Sequence, residues 1–195
     1  MDLNETYWTD KYLNHQTGWD IGYPSPAIVD YFKTVENKEA RILVPGGGNG
    51  HEVKALAEMG FRNIILLDFA LPPLQRFADN MPEFPRNQLI KADFFEHEGT
   101  YDYIVEQTFF CALKPSLRES YVQKMDQLLA VDGLLIGLLF NIPLNNDHPP
   151  FGGERAAYEL LFKTTFSISK LEKCTNSIPQ RSGNELFIEM KRLEV

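Results

Sequence analysis

The chain has 195 residues, of which 44% are hydrophobic and 24% charged, and its formal net charge is −8. That length fits one domain with a substantial core, and the acidic balance gives no general attraction to nucleic-acid phosphates or anionic lipid. No apolar run approaches the ~20 residues of a membrane span, and the opening Met1-Asp-Leu-Asn-Glu5 lacks a basic, apolar leader, so a cytoplasmic protein is expected.

Residues 1–24 are rich in aromatics: Tyr7, Trp8, Tyr12, Trp19 and Tyr23. Trp8 and Tyr12 are four apart and would share one face of a short helix. Large rings can pin such a segment to the body, or let it cover a cofactor, and the two roles are compatible. Ser25-Pro26 reads as a helix start, with Ser25 capping and Pro26 in the first turn. Ile28, Val29, Phe32 and Val35 give that helix its apolar side.

Ile42, Leu43 and Val44 form a short buried strand, stopped by Pro45 and a glycine cluster. Residues 52–59 then run at helical period, with Glu52 complementing the helix start and Gly60 ending it. Residues 63–68 make a second, nearly all-apolar strand, as a parallel strand covered on both faces requires. A helix opened by Pro72-Pro73 is expected over 71–81. A weaker third strand follows at 87–92 and a fourth at 101–106. A helix at 118–130, an Asp132-Gly133 turn and a strongly hydrophobic strand at 134–140 come next. After a loop over 141–153, a helix at 154–162 and two strands near 166–171 and 185–193 close the chain. Strands separated by helices predict a doubly wound, Rossmann-like α/β sheet in a single domain, residues 1–195. The last two strands lack an intervening helix, which predicts an antiparallel C-terminal hairpin.

Ligands of open α/β sheets bind at the carboxyl ends of the strands, and the chemically useful residues fall there. Gly46, Gly48 and Gly50 follow the first strand as G-x-G-x-G, a turn that lets backbone approach a nucleotide-like ligand. A dinucleotide fingerprint would need glycine where this chain has His51. That argues against NAD and favours S-adenosyl-L-methionine. Asp68 ends the second strand, where a carboxylate can accept from both ribose hydroxyls. Asp93 can cap a helix or accept from an exocyclic adenine amine, and Phe94 fits either core or a purine face. Gln107 ends the fourth strand and could hold the sulfonium or the amino-acid portion. Phe109, Phe110 and Cys111 read as core. Cys111 and Cys174 show no redox or metal spacing, and the four histidines are scattered, so no metal is expected.

Taken together, several stretches resemble the thiopurine S-methyltransferase superfamily of class I methyltransferases, and within it the plant-type thiol and halide enzymes. They are Trp8 with Gly18-Trp-Asp-Ile-Gly22, Pro24-Ser-Pro26, Leu43-Val-Pro-Gly-Gly-Gly-Asn-Gly50, Leu67-Asp68, Ala92-Asp-Phe-Phe95, Phe109-Phe-Cys-Ala112, His148-Pro-Pro-Phe151 and Arg181-Ser-Gly-Asn-Glu185. The resemblance implies the seven-stranded fold, S-adenosyl-L-methionine as cofactor and S-adenosyl-L-homocysteine as product. Trp8, Tyr12 and Trp19 match positions that wall the cofactor; Gly46, Asp68, Asp93 and Phe94 match its contacts. Tyr12 replaces a usual tryptophan, Gly47 a usual cysteine, and Gln107 a tyrosine or arginine near the transferred methyl. The implied reaction is in-line methylation of a thiol, thiopurine or halide, for which orientation and desolvation suffice. Arg181 is a candidate for steering an anionic acceptor, or a solvated loop residue. Alternatives are a nitrogen- or oxygen-directed methyltransferase, or a non-catalytic cofactor-binding protein. Neither nucleic-acid nor membrane partners are expected, and a monomer or weak homodimer is.

Overall fold

Ile42 and Leu43 in β1 (Arg41–Pro45) have no exposed surface, because the strand is flanked by parallel neighbours and covered on both faces. The computed structural model describes residues 2–193. Successive β1 residues point to opposite cores, as the twofold strand period demands. Ile42 and Val44 pack with α2 (Pro26–Lys33), α3 (His51–Glu58) and α4 (Leu71–Asn80), whose Phe32, Leu56 and Phe77 lie in that cluster. Leu43 faces the other cluster, with Tyr121 and Met125 of α5 (Arg118–Leu128) and Phe162 of α6 (Arg155–Phe162). The remaining helix, α1 (Glu5–Leu13), crosses to α4.

The strands run β3-β2-β1-β4-β5-β7-β6 across one sheet. Those not yet placed are β2 (Asn63–Asp68), β3 (Leu89–Lys91), β4 (Tyr101–Gln107), β5 (Leu129–Phe140), β6 (Phe166–Lys173) and β7 (Glu185–Arg192). The first five pair in parallel, and β7 is antiparallel to both β5 and β6. Strand order reverses between β1 and β4, which opens a crevice at their carboxyl ends. This is the class I methyltransferase fold.

Three local expectations change. The third strand shortens to three residues because 86–88 form a 3-10 turn after Pro85. The expected break at Asp132-Gly133 is absorbed within a longer β5, where Asp132 takes φ +64° and the pairing to β4 shifts register between Tyr101 and Tyr103. Pro26 does open α2, but the Ser25 side chain makes no capping bond; its backbone N–H donates to Glu52 Oε1 at 3.0 Å. Glu52 keeps its expected place in the first turn of α3, but it is buried, with its pKa raised by that burial, and it also ties two segments together.

Candidate functional site

Gly46, Gly48 and Gly50 all adopt left-handed φ, at +57°, +52° and +71°, conformations that cost L-residues energy. The sequence suggested that a ligand would use the freed space. In the structure the protein's own rings use it. A Cβ on Gly46 would run into the Phe109 ring, on Gly48 into the Tyr12 hydroxyl, and on Gly50 into Phe77. Phe109, expected only as core, is therefore the wall above the turn.

Asp68 lies beneath the same turn. Its Oδ2 accepts from the Gly48 N–H at 3.0 Å and its Oδ1 from the Ala70 N–H at 2.8 Å. Only 6% of the residue is exposed, and burial pushes its carboxyl up to about 6 despite those two donors. An ionised carboxylate offers about four acceptor positions, so two bonds leave capacity for a diol.

The N-terminal segment closes over this turn. The Trp19 ring meets Trp8 edge-on at 5.3 Å and Tyr12 edge-on at 5.7 Å, so the three predicted aromatics form one cluster. Burial, and then the nearby Asp68 charge, raises the Tyr12 pKa. The strap is fastened by Asp20. It accepts from the Gly22 N–H and from Asn49 Nδ2, and pairs with His51 Nε2 at 2.7 Å. The His51 hydrogen bond holds the Asp20 carboxyl below its usual range and raises the histidine in return. Arg76 of α4 donates to Asn49 Oδ1 at 3.1 Å and steadies the same knot.

Asp93 accepts from the Phe95 N–H at 2.9 Å in a turn; no helix follows it, so it is not the helix cap that was one of its two readings. Phe94 is 4% exposed and packs against Phe95, Phe109 and Tyr121, which was the core alternative. It touches the site through Phe109.

At the tips of β4 and β5 lies a narrow cavity of about 10 Å³, lined by Gln107, Thr108, Cys111, Phe140 and Glu185 among others. Gln107 Oε1 is sealed from solvent there and has no hydrogen-bond partner. Glu106, beside it, is fully buried and saturated. Its Oε1 accepts from the Phe109 and Phe110 N–H groups, each at 2.9 Å, and its Oε2 from the Tyr121 hydroxyl at 2.5 Å. Burial pushes this carboxyl up to about 7. Glu106 thus sets the turn that carries the Phe109 ring onto Gly46. Arg181, the candidate for anion steering, is 8% exposed rather than solvated, and its Nη2 donates to the Trp19 carbonyl at 2.7 Å.

The structure brings Trp8, Tyr12, Trp19, Gly46, Gly48, Gly50 and Asp68 together, and sets Gln107 and Arg181 near the end of β5. Sequence reasoning missed Asp20, Asn49, His51, Phe109 and Glu185. No spacing rule links residue 20 to residue 51; the glycines flanking Asp20 were the one available hint of a tight, functional loop.

A buried carboxylate beside a glycine turn, a three-ring cover and an unpaired amide oxygen at the neighbouring strand tip fit S-adenosylmethionine, which carries a diol, an aromatic base and an ammonium. Comparison with known proteins bears on the same point. The profile of the thiopurine S-methyltransferase family matches residues 3–192. A probable thiol methyltransferase of Arabidopsis thaliana is 32% identical over 95% of this chain and 84% of its own length. A thiocyanate methyltransferase of the same plant is 30% identical, covering 98% and 86%. Among solved structures, a Burkholderia thailandensis didemethyltoxoflavin N-methyltransferase with bound S-adenosylhomocysteine superposes with a TM-score of 0.80. It is 14% identical and covers 98% of this chain and 88% of its own, which speaks for the fold.

Proposed function

We propose that this chain, which belongs to the thiopurine S-methyltransferase family and is an S-adenosylmethionine-dependent methyltransferase of small molecules, methylates the sulfur of a thiol or thiocyanate-type acceptor. The observation that carries the choice of acceptor is a narrow cavity with the unpaired Gln107 amide oxygen at the β4 tip, in a chain about 30% identical to thiol and thiocyanate methyltransferases. Halides, as small soft nucleophiles, fall within the same reading.

S-adenosylmethionine, when bound, supplies a methyl carbon made electrophilic by the sulfonium. This chain's residues bind, orient and exclude water. Asp68 accepts from the ribose hydroxyls while shaping the turn through Gly48. Gly46, Gly48 and Gly50 bend the backbone so that Phe109 and Tyr12 can close on it. Trp8, Tyr12 and Trp19 cover the cofactor and keep bulk water away. Asp93 and Phe94 belong to the adenine side, Asp93 as a polar contact and Phe94 as the packing behind Phe109. Gln107 sits between cofactor and acceptor and uses its free amide oxygen there. A sulfur anion needs no general base for in-line attack, so orientation supplies most of the acceleration, roughly 7–11 kcal/mol in well-aligned systems.

Incubation with methyl-labelled S-adenosylmethionine and a panel of thiocyanate, hydrosulfide, aliphatic thiols, thiopurine and iodide tests this, with products identified by mass spectrometry. Labelled thioether or methyl thiocyanate is expected. Labelled nitrogen or oxygen products with no sulfur product would overturn the acceptor assignment.

A further inference from the structure

The carboxyl end of β4 is held in a conformation that its backbone resists. Thr108 takes φ +57°, and a β-branched residue in the left-handed region is a genuine outlier, kept only where its surroundings fix it. Glu106 fixes it by accepting from the Phe109 and Phe110 N–H groups, and the Thr108 carbonyl accepts from the Cys111 thiol at 3.3 Å. The Phe109 ring then fills the space that a Cβ on Gly46 would take. Strand β4 runs parallel to β1 with Ile104 opposite Leu43, so Gln107 comes level with Gly46, beside the glycine turn. Its Oε1 is sealed from solvent with no donor to meet it, although buried acceptors are almost always paired.

The surroundings decide which charge that oxygen can meet. The cavity at this tip has room for one group about the size of a water molecule or a methyl. Glu106, Gln107, Thr108 and Glu185 bring oxygen atoms to its wall, and Leu138 and Phe140 are among its apolar lining. The Arg181 guanidinium behind Glu185 is already engaged, with Nη1 paired to that carboxylate at 3.5 Å and Nη2 donating to the Trp19 carbonyl. An oxygen-rich wall whose neighbouring cation is held by a carboxylate favours positive charge over negative. Of the two reacting partners, an anionic acceptor has the wrong sign here and the cofactor sulfonium has the right one.

We propose that Gln107 Oε1 reads the charge on the reacting sulfur, and so sets a preference of this site for S-adenosylmethionine over S-adenosylhomocysteine. Resting on the methyl-transfer reading above, this adds a means of releasing product. C–H groups beside a sulfonium are polarised, and an amide oxygen accepts from them as weak hydrogen bonds. On transfer the methyl carbon leaves for the acceptor and the electron pair of its old bond stays on sulfur. A neutral thioether then turns its lone pairs toward the same oxygen, and the attraction is lost. Gln107 is thus a specificity-determining residue, and the strained Thr108 beside it keeps its amide aimed at the turn.

Calorimetry with three ligands tests this: S-adenosylmethionine, S-adenosylhomocysteine, and sinefungin, which carries a protonated amine near the place of the methyl. The wild type should bind S-adenosylmethionine about threefold or more tighter than S-adenosylhomocysteine, the worth of one or two C–H···O contacts. Sinefungin should bind about tenfold or more tighter than S-adenosylhomocysteine, as a hydrogen bond to a charged group gives. In Gln107→Leu both ratios should fall to about one. Gln107→Met, unbranched and likewise without the oxygen, serves if the leucine variant does not fold. A residue that only shaped the site, or that held the α-ammonium common to all three ligands, would weaken them by one factor and leave the ratios intact; that result overturns the proposal. A wild-type ratio of one in an enzyme that methylates a sulfur acceptor overturns the charge reading and leaves the methyl-transfer reading standing. Binding of none of the three ligands overturns both.

Discussion

The two ends of the site use their polar atoms in opposite ways. Around the glycine turn, Asp68, Asp20 and Glu52 each accept hydrogen bonds from named backbone or side-chain donors. Toward the end of β5, Gln107 Oε1 is buried with no hydrogen-bond partner, and Arg181 Nη1 has only a 3.5 Å ion pair with Glu185. Glu106 stands between them, fully buried and fully bonded. The contrast separates shape from readiness. Groups that already hold partners fix the geometry in advance, Asp68 with acceptor positions to spare, whereas unsatisfied ones retain capacity for a ligand at a standing cost to stability.

The strongest way to break this division is to remove the saturated group at its centre. Glu106→Ala strands two backbone donors and the Tyr121 hydroxyl in the core, and should cost about 3–4 kcal/mol in urea unfolding, since charged acceptors are worth more than neutral ones. Gln107→Leu, by contrast, removes an unpaired oxygen and should leave stability within about 1 kcal/mol, the opposite of what a buried bonded amide would show.

Asp68→Ala should weaken cofactor binding by about 1.5–3 kcal/mol, roughly 10- to 150-fold, measured by calorimetry. Unchanged affinity would remove the ribose assignment. The pH dependence sharpens the same residue. Only ionised Asp68 accepts from both hydroxyls, so cofactor affinity should fall about tenfold per unit below pH 6 and level off above it. Stability of the free protein should move the other way. The folded state raises this pKa from 3.8 to about 6, so it holds the proton more tightly than the unfolded chain. The contribution is therefore complete below the unfolded value and is lost as pH rises through 6. Denaturant titrations between pH 4 and 8 would show it.

Loosening the strap is a smaller change. Asp20→Asn keeps the shape but removes the charge facing His51, and should weaken cofactor binding by about 0.5–1.5 kcal/mol through the lost charge-assisted bond. Smallest of all, breaking the exposed Lys54–Glu58 pair with Glu58→Ala should change neither stability nor binding by more than about 0.5 kcal/mol.

How much of this the chain announces depends on the range over which each signal acts. Strands β1 and β2 were legible because both faces are covered and nearly every residue is apolar. The C-terminal hairpin followed from two strands with no helix between them. The strand β3 was overextended because Pro85 imposes a 3-10 turn that apolar content does not reveal. Trp8, Tyr12 and Trp19 were legible as a cluster through helical spacing and family likeness. The Asp20–His51 pair joins residues 31 apart in sequence and depends on how the strap is laid down, which no local pattern encodes. Arg181 was placed in the right neighbourhood for an incomplete reason. Its loop does reach the site, yet half of its guanidinium holds the backbone of Trp19.

The position of β7 has a consequence for how the molecule is made. It is the last strand in chain order, yet it lies between β5 and β6 and pairs with β5 from Leu134 to Phe140. While the chain is being synthesised, the glycine turn, Asp68 and the Asp20 knot can assemble as soon as β1 to β4 have emerged. The edge of β5, a row of unpaired backbone groups on the most apolar strand, stays open until residue 192 follows. Glu185 and Arg181 arrive with that same segment. A nascent chain would thus hold a formed cofactor cradle well before it had anywhere to place an acceptor, and chaperone engagement should concentrate on the β5 edge during that interval.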